Sequence, residues 1–211
     1  MRRNSSTVVV LVGPAPGEVL AAVGRSMNVA LIRPAEIRPE DPADSGRNAG
    51  RDALAAAAEA LQRAGRVTSP YALVVADPLA ALAASWREMW DVARQPGPAG
   101  FEQEAVKALT AWRAGRFELP DYYLVLAREA VEDGPDFHLG PLRSARAQRV
   151  VPVPEAEPAQ QAAGVLHALG SLRHGPWWPP LDEVIETARR FYPDSLAEAN
   201  PALTAAPAAS P

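Results

Sequence analysis

Five short apolar segments alternate with helix-forming segments along this chain of 211 residues. The first segment, TVVVLV, has apolar or β-branched residues on both faces of a strand, as in a parallel sheet covered on both sides. The alternation predicts an α/β domain of three layers with a mostly parallel five-stranded sheet. We expect the strands at residues 7–12, 28–32, 71–75, 121–127 and 149–153.

The segments between the strands have helical patterns that begin and end at capping residues, glycines or prolines. Asp77 is a favoured N-cap, and Pro78 suits the first position of the helix that follows it. Pro152, inside the fifth strand, cannot donate to a neighbouring strand, which predicts an edge or a strand end. We expect helices at residues 17–24, 51–64, 78–93, 101–114, 155–172 and 181–192.

The composition changes along the chain and divides it into three regions. Residues 1–172 form the predicted sheet domain. Residues 173–193 contain a strap rich in aromatic residues and proline, followed by a C-terminal helix. Residues 194–211 are rich in Ala, Pro and Ser, a composition typical of a disordered tail.

Composition and charge exclude several classes of function. Hydrophobic residues make up 48% of the chain, enough for a substantial core, and no apolar run approaches the roughly 20 residues that span a bilayer. The net charge of −4 argues against broad binding to nucleic acid. The absence of cysteine excludes disulfides, thiolate nucleophiles and Cys-based zinc sites, and it fits a cytoplasmic location.

The turn after the first strand, from Gly13 to Gly17, lies where α/β proteins often bind phosphate. A Walker loop needs G-x-x-x-x-G-K-[ST], but here the spacing is one residue short and neither Lys nor Ser/Thr follows. Pro14 and Pro16 lack the backbone N–H groups that a phosphate would use, and Glu18 adds a negative charge. The pattern favours a structural turn over a ligand-binding one at Gly13 and Gly17.

The order of elements nonetheless resembles the P-loop kinases of nucleotides and small metabolites. The segments that carry the resemblance are VVVLVGPAPGEV, LPDYYLVLA and RVVPVPEAEPAQQAAGVLHAL. The resemblance implies a lid after the fourth strand and a closing helix after the last one. Because no lysine or hydroxyl follows Gly17, it does not extend to phosphoryl transfer, and it predicts a degenerate phosphate loop.

Arginine supplies 20 of the 21 basic residues, since only Lys107 is a lysine. Arg143, Arg146 and Arg149 are three residues apart and would share one face of a helix. In a kinase-like protein they would be lid arginines that bind phosphate, joined by Arg128 after the fourth strand. The alternative, which the pattern favours, is a solvated basic surface.

Two residues are candidates for acid–base chemistry. Asp77 follows the third strand and would hold Mg²⁺ or accept a proton, although an N-cap at this position needs no further function. His138 lies in a polar loop between Phe137 and Leu139 and is the best candidate for a general base among the three histidines. The histidine spacing matches no metal-binding motif, so we expect no metal site.

Tryptophan provides the candidates for a protein interface. Trp86 and Trp90 lie one helical turn apart, and a stripe of this kind belongs to the core unless it is exposed as an anchor for a partner. Trp177 and Trp178 precede two prolines in a rigid, extended segment that would pack onto the domain or form a docking or dimer surface.

These features support three hypotheses of function, and none of them identifies a cofactor. The first is a non-catalytic or regulatory protein that acts through contacts of the four tryptophans with another protein or a second copy. The second is an enzyme or sensor that binds a nucleotide or phosphorylated small molecule through Asp77 and the arginines. The third is a Rossmann-like enzyme, although Arg33 stands where an NAD site usually presents an acidic residue.

Overall fold

The computed structural model describes residues 6–34, 49–90, 98–126 and 136–191, apart from the side chains of residues 49–52. One sheet of five parallel strands organises these residues, in the order β2-β3-β1-β4-β5. The predicted fold class is therefore confirmed. The strands are β1 (Thr7–Val12), β2 (Val29–Ile32), β3 (Tyr71–Val74), β4 (Tyr122–Leu126) and β5 (Val150–Val153).

The helices of the described residues follow the predicted order, with differences at their ends. They are α1 (Gly17–Gly24), α2 (Ala49–Ala64), α3 (Ala80–Glu88), α4 (Ala99–Arg113), α5 (Arg143–Ala145), α6 (Pro158–Gly170) and α7 (Leu181–Arg190). A π-helical turn over His138–Leu142 precedes α5, and a 3-10 turn over Ala147–Arg149 follows it. The sequence did not predict the π-helical turn, because such turns have no propensity signature of their own.

The helices cover both faces of the sheet and create two cores. On one face α1 and α6 pack side by side over Val9, Leu11 and Leu124. The other face is covered by α2, α3, α4 and α7. These helices pack on Val8, Val10 and the other strand residues whose side chains point to this face. Because both faces are buried, the strands need continuous apolar sequences rather than alternating ones, which is how they could be recognised.

The edge position of β5 explains how proline fits into a strand. Val125 of β4 lies opposite Pro152, and no other strand of the described residues pairs with the far side of β5. A proline in an edge strand can turn the side that lacks an N–H away from the neighbouring strand, so the edge tolerates Pro152.

The strap and the C-terminal helix pack directly onto the sheet domain. The indole N–H of Trp178 donates to the carbonyl of Pro120 at 2.6 Å, just before β4. The indole N–H of Trp86 in α3 donates to the carbonyl of Ala188 in α7 at 3.0 Å. The tail predicted at residues 194–211 lies outside the described residues. Within the described ranges, no helix has the length and apolar character needed to cross a bilayer.

Candidate functional site

The topology creates a crevice at the carboxyl ends of β1 and β4. These strands are neighbours, but the chain leaves β1 toward β2 on one side and leaves β4 toward β5 on the other. Open α/β sheets bind ligands at such a switch point. Gly13 lies there with φ +102°, and a Cβ at this position would lie 2.9 Å from the carbonyl oxygen of Leu126.

The positive φ and the close approach to Leu126 therefore explain why residue 13 is a glycine, and no bound ligand is needed to explain it. Gly17 differs, because it has no positive φ and a Cβ would meet nothing within 4 Å. The two glycines that the sequence paired as candidate ligand-binding residues thus have different roles in the turn. Only Gly13 is required by the fold.

Asp77 uses its two carboxylate oxygens for two different contacts. Oδ1 accepts a hydrogen bond from the backbone N–H of Leu79 at 2.9 Å, which closes the turn that leads into α3. Oδ2 lies 2.9 Å from Nε2 of His138. Asp77 thus closes a turn before α3 and contacts His138 at the same time, but it is not the N-cap that the sequence predicted, because Leu79 is the N-cap and no side chain caps the helix. The side-chain turn also explains why α3 begins at Ala80 rather than at Pro78.

His138 is held in place by the π-helical turn and by Asp136. The Oδ1 atom of Asp136 accepts hydrogen bonds from the backbone N–H groups of His138, at 2.7 Å, and Leu139, at 3.0 Å. The other ring nitrogen of His138, Nδ1, lies 3.8 Å from the same Oδ1 atom, which is too far for a hydrogen bond. The imidazole therefore lies between two carboxylates and is bonded to only one of them.

Tyr123 of β4 completes a cluster of proton-bearing groups. Its ring contacts that of His138, with centroids 5.4 Å apart. Its hydroxyl is buried next to the Asp77 carboxylate and forms no hydrogen bond of ordinary geometry with the described residues. Burial raises the pKa of Tyr123 well above its usual value, and the neighbouring Asp77 carboxylate raises it further.

The sequence analysis predicted two members of this cluster and missed two. It identified Asp77 and His138 but gave no reason to bring them together. It assigned Tyr123 to a buried strand and Asp136 to a polar loop. The only signal was the pair of tyrosine hydroxyls in an otherwise apolar strand, because a buried hydroxyl needs a partner, and this signal does not distinguish Tyr123 from Tyr122.

Arg149 lies at the amino end of β5, whereas Asp77 lies at the carboxyl end of β3. Its guanidinium donates to three carbonyls, those of Asp121 at 3.0 Å, Gly175 at 2.8 Å and Pro176 at 3.1 Å. It also lies over the rings of Tyr122, 4.9 Å from the centroid, and Trp177, 4.8 Å from the centroid. These contacts attach the strap to β4 and use the donors that a phosphate would need.

The other candidate arginines do not assemble around Asp77 in the described residues. The Nε atom of Arg146 donates to the carbonyl of Trp177 at 2.6 Å, so Arg146 also holds the strap. Arg143 is exposed. Arg128 lies outside the described residues. In that part of the chain, no group of three or more His, Cys, Asp or Glu residues is arranged to hold a metal ion.

The burial of the tryptophans corrects part of the proposed docking surface. Trp86 is fully buried and Trp178 is 6% exposed, and Trp90 packs against the same core. Trp177 is 52% exposed. Three of the four residues therefore stabilise the fold, because their rings fill the space between the helices and the sheet. Trp177 alone presents a substantial apolar surface, and Arg149 covers one face of its ring.

A cavity of about 350 Å³ lies at the carboxyl edge, on the face covered by α1 and α6. Its walls come from the turn after β1, the end of β4, the connection between β5 and α6, and the first turn of α6. The lining residues are Pro14, Pro16, Leu126, Glu155, Ala156, Glu157, Pro158 and Gln161.

Comparison with known proteins gives no relationship from which a function could be transferred. No family model matches this chain, and neither do any curated protein sequences or solved structures.

Proposed function

We propose that this chain is an enzyme or sensor that binds a small molecule at the carboxyl edge of its sheet and holds or moves a proton at the Asp77–His138 pair. The observation that supports the proposal best is the 2.9 Å contact between these side chains, which are 61 positions apart. Both are at least nine-tenths buried, with exposures of 4% for His138 and 8% for Asp77. A buried imidazole paired with a carboxylate is the arrangement that orients a histidine for proton transfer.

In this proposal each ring nitrogen of His138 has a different role. An ionised Asp77 can only accept, so the shared proton belongs to Nε2. Nδ1 is then the basic atom of the neutral ring. It points toward Asp136, whose side chain is 35% exposed, so this edge of the ring is the one nearest to solvent. A ligand that displaces Asp136 from this edge would present its proton to Nδ1.

The buried hydroxyl of Tyr123 supports the same proposal. An unpaired buried hydroxyl lowers the free energy of unfolding by roughly 1–3 kcal/mol. A phenylalanine at this position would therefore make the fold more stable, unless the hydroxyl has a function. Tyr123 lies close enough to Asp77 for the carboxylate to raise its pKa. It would donate to a ligand, or to Asp77 when a ligand shifts the carboxylate.

The proposal does not require a phosphorylated ligand. Arg146 and Arg149 bind backbone carbonyls of the strap, away from Asp77. The kinship with P-loop kinases stays a prediction, in which the chain keeps an order of elements but lacks the lysine that phosphoryl transfer needs.

The test is a thermal-shift screen of purified protein against nucleotides, sugar phosphates and non-phosphorylated metabolites, with and without Mg²⁺. A compound at 100 times its Kd adds about 2.7 kcal/mol to the free energy of unfolding. Tyr123→Phe removes only the unpaired hydroxyl, so this variant should fold at least as stably as the wild type and should lose the ligand-induced shift.

Tyr122→Phe is the matched control, since its hydroxyl donates to the carbonyl of Arg173 at 2.8 Å. This variant should lose some stability and keep the full ligand-induced shift. A screen without a stabilising compound, or an equal shift in wild type, Tyr123→Phe and Asp77→Asn, would contradict the proposal.

A second candidate function, contact with another protein or a second copy, is supported by Trp177, which is 52% exposed. Sedimentation of the wild type and of Trp177→Ala tests the second-copy form of it. A wild-type dimer that dissociates in the variant would support an interface at Trp177. If the wild type and the variant are both monomers, the second-copy form of this candidate is contradicted.

A further inference from the structure

We propose that the strap, residues 173–180, binds a short acidic segment of another protein at Trp177. This inference rests on the second candidate function, contact with another protein, and names the chemistry of the partner. It does not depend on the Asp77–His138 pair. The strap packs at the amino ends of β4 and β5, where Arg149 holds it, whereas Asp77 follows the carboxyl end of β3.

The ring of Trp177 is an apolar anchor that the fold holds in place. It is exposed, and the guanidinium of Arg149 lies against one of its faces. That guanidinium is itself fixed, because it donates to three carbonyls and packs on the ring of Tyr122. Pro176 and Pro180, which flank the anchor in the chain, are exposed as well. A fixed and exposed aromatic ring suits a protein partner, since binding then costs little side-chain entropy.

The charge around this anchor is positive, although the chain as a whole is acidic. The segment that precedes β5 packs against the strap, where Nε of Arg146 donates to the carbonyl of Trp177 at 2.6 Å. Residues 137–153 and 171–181 together contain four arginines and neither Asp nor Glu, whereas the whole chain has 25 acidic and 21 basic residues. A surface of this charge is complementary to a partner that carries carboxylates.

Two of these arginines have donors that the fold does not use. The hydroxyl of Tyr122 donates to the carbonyl of Arg173 at 2.8 Å, but the exposed guanidinium of Arg173 has no hydrogen bond or ion pair with any described residue. Arg146 uses Nε and Nη1 for the carbonyls of Trp177 and Ala145, so its Nη2 has no partner in the described part of the chain. Free guanidinium donors bind carboxylates through charge-assisted hydrogen bonds.

Asp121 supplies a carboxylate near Arg149, but this carboxylate is used within the sheet domain. Its Oδ2 accepts a hydrogen bond from the backbone N–H of Val8 in β1 at 2.7 Å. Burial raises the pKa of Asp121, and the charge of Arg149 opposes this shift by a smaller amount. Arg149 donates to the backbone carbonyl of Asp121 instead. The positive charges of Arg146 and Arg173 are therefore left for a partner.

An acidic peptide suits this surface better than a nucleic acid does. Proteins that bind single-stranded nucleic acid use a basic groove with several rings on which bases stack. Trp177 is the only exposed Phe, Trp or Tyr among the described residues. The net charge of −4 would also repel a long polyanion, whereas a short peptide meets mainly the local positive charge.

The experiment measures the binding of a fluorescein-labelled acidic peptide, EDEPLPEDE, to the full chain by fluorescence anisotropy. A basic peptide, KKKPLPKKK, and a short single-stranded oligothymidylate carry the same label. We expect the acidic peptide to bind in a saturable manner and the basic peptide not to bind. The affinity for the acidic peptide should fall as the salt concentration rises, because salt screens exposed charges.

Variants locate the binding surface. Trp177→Ala should weaken binding of the acidic peptide about fivefold or more, since it removes the anchor. Arg173→Gln should weaken it about threefold, since it removes an exposed guanidinium that the fold does not use. Arg33→Gln is the matched control, because Arg33 is exposed and follows β2 at the opposite edge of the sheet. It changes the net charge by the same amount and should leave the affinity unchanged.

The inference is overturned if the acidic peptide does not bind, if Arg33→Gln weakens binding as much as Arg173→Gln, or if the oligothymidylate binds more tightly than the peptide. A dimer that depends on Trp177, without peptide binding, would keep the second candidate function and overturn only the acidic partner. Loss of the small-molecule shift in Tyr123→Phe concerns only the Asp77–His138 proposal, so the failures are distinguishable.

Discussion

Asp77 joins His138 to the start of α3 through its two carboxylate oxygens, 2.9 Å from Nε2 of His138 and 2.9 Å from the backbone nitrogen of Leu79. One side chain therefore fixes both the entry into a helix and the position of a buried imidazole. The elements that it connects follow β3 and β4, which are separated in the sheet by β1. Loss of this carboxylate should therefore disturb both the start of α3 and the position of the His138 ring.

We expect Asp77→Ala to lower the free energy of unfolding by about 2–4 kcal/mol, because it removes the turn at Leu79 and leaves the His138 ring unpaired. Asp77→Asn keeps an oxygen for the Leu79 N–H and should cost less. Urea unfolding followed by circular dichroism measures both. Equal stability of Asp77→Ala and the wild type would mean that the pair contributes nothing to the fold.

Gly13 and Gly17 should respond differently to the same substitution. Gly13→Ala places a Cβ at positive φ and against the carbonyl of Leu126, so we expect a loss of at least about 2 kcal/mol. Gly17→Ala lies at the start of α1 with open space around it and should be neutral or stabilising. Thermal denaturation of the two variants compares them directly. A stable Gly13→Ala protein would contradict the close approach of the two strands.

Substitution of a buried and of an exposed tryptophan should likewise have different effects on the free energy of unfolding. Trp86→Ala should cost about 3–5 kcal/mol, since it empties a fully buried site and leaves the carbonyl of Ala188 without its donor. Trp177→Ala should cost about 1 kcal/mol, the approximate value of its contact with the Arg149 guanidinium. Chemical denaturation distinguishes them, and similar losses at both positions would show that the exposed ring is as important to the core as the buried one.

Replacement of Arg149 by lysine should destabilise the protein. Arg149→Lys keeps the charge but cannot donate to three carbonyls at once, so we expect a loss of about 2–3 kcal/mol. Arg143→Lys, at an exposed position, should change stability by less than about 0.5 kcal/mol. Limited proteolysis near the strap provides a second readout, because cleavage after Arg173 should become faster only in Arg149→Lys.

The ion pair between α4 and α7 should make stability depend on pH. Arg189 holds Glu102 with two hydrogen bonds, of 2.9 and 2.7 Å, and lowers the pKa of that carboxyl. A carboxyl with a lowered pKa in the folded state contributes stability above its unfolded pKa and loses this contribution as the pH falls. Because the pair is largely exposed, we expect a contribution of about 0.5 kcal/mol at neutral pH.

Comparison of the wild type with Glu102→Gln measures this contribution. The difference in unfolding free energy should be present at pH 7 and should vanish as the pH falls below the normal range of a glutamate. Glu104→Gln is the control, since Glu104 pairs with Lys107 within α4 and does not connect two helices. A constant difference across the pH range would assign the effect to packing rather than to charge.

The sequence alone determined the strands, most of the helices and the class of fold. A parallel strand that is buried on both faces must be apolar throughout, and this local requirement can be read in the TVVVLV of β1. It also marked Asp77 and His138 as candidate acid–base groups, and Gly13 as a turn, since these depend on residue type and near neighbours.

Tertiary structure decided which of these groups meet. The order of the strands places β1 between β3 and β4, and the π-helical turn aims His138 at Asp77 across 61 positions of chain. The same packing buries Trp86, occupies Arg149 with carbonyls of the strap and leaves Trp177 exposed. No local pattern encodes these pairings, because they arise from contacts between segments far apart in the chain and from the competition of each polar group for buried partners.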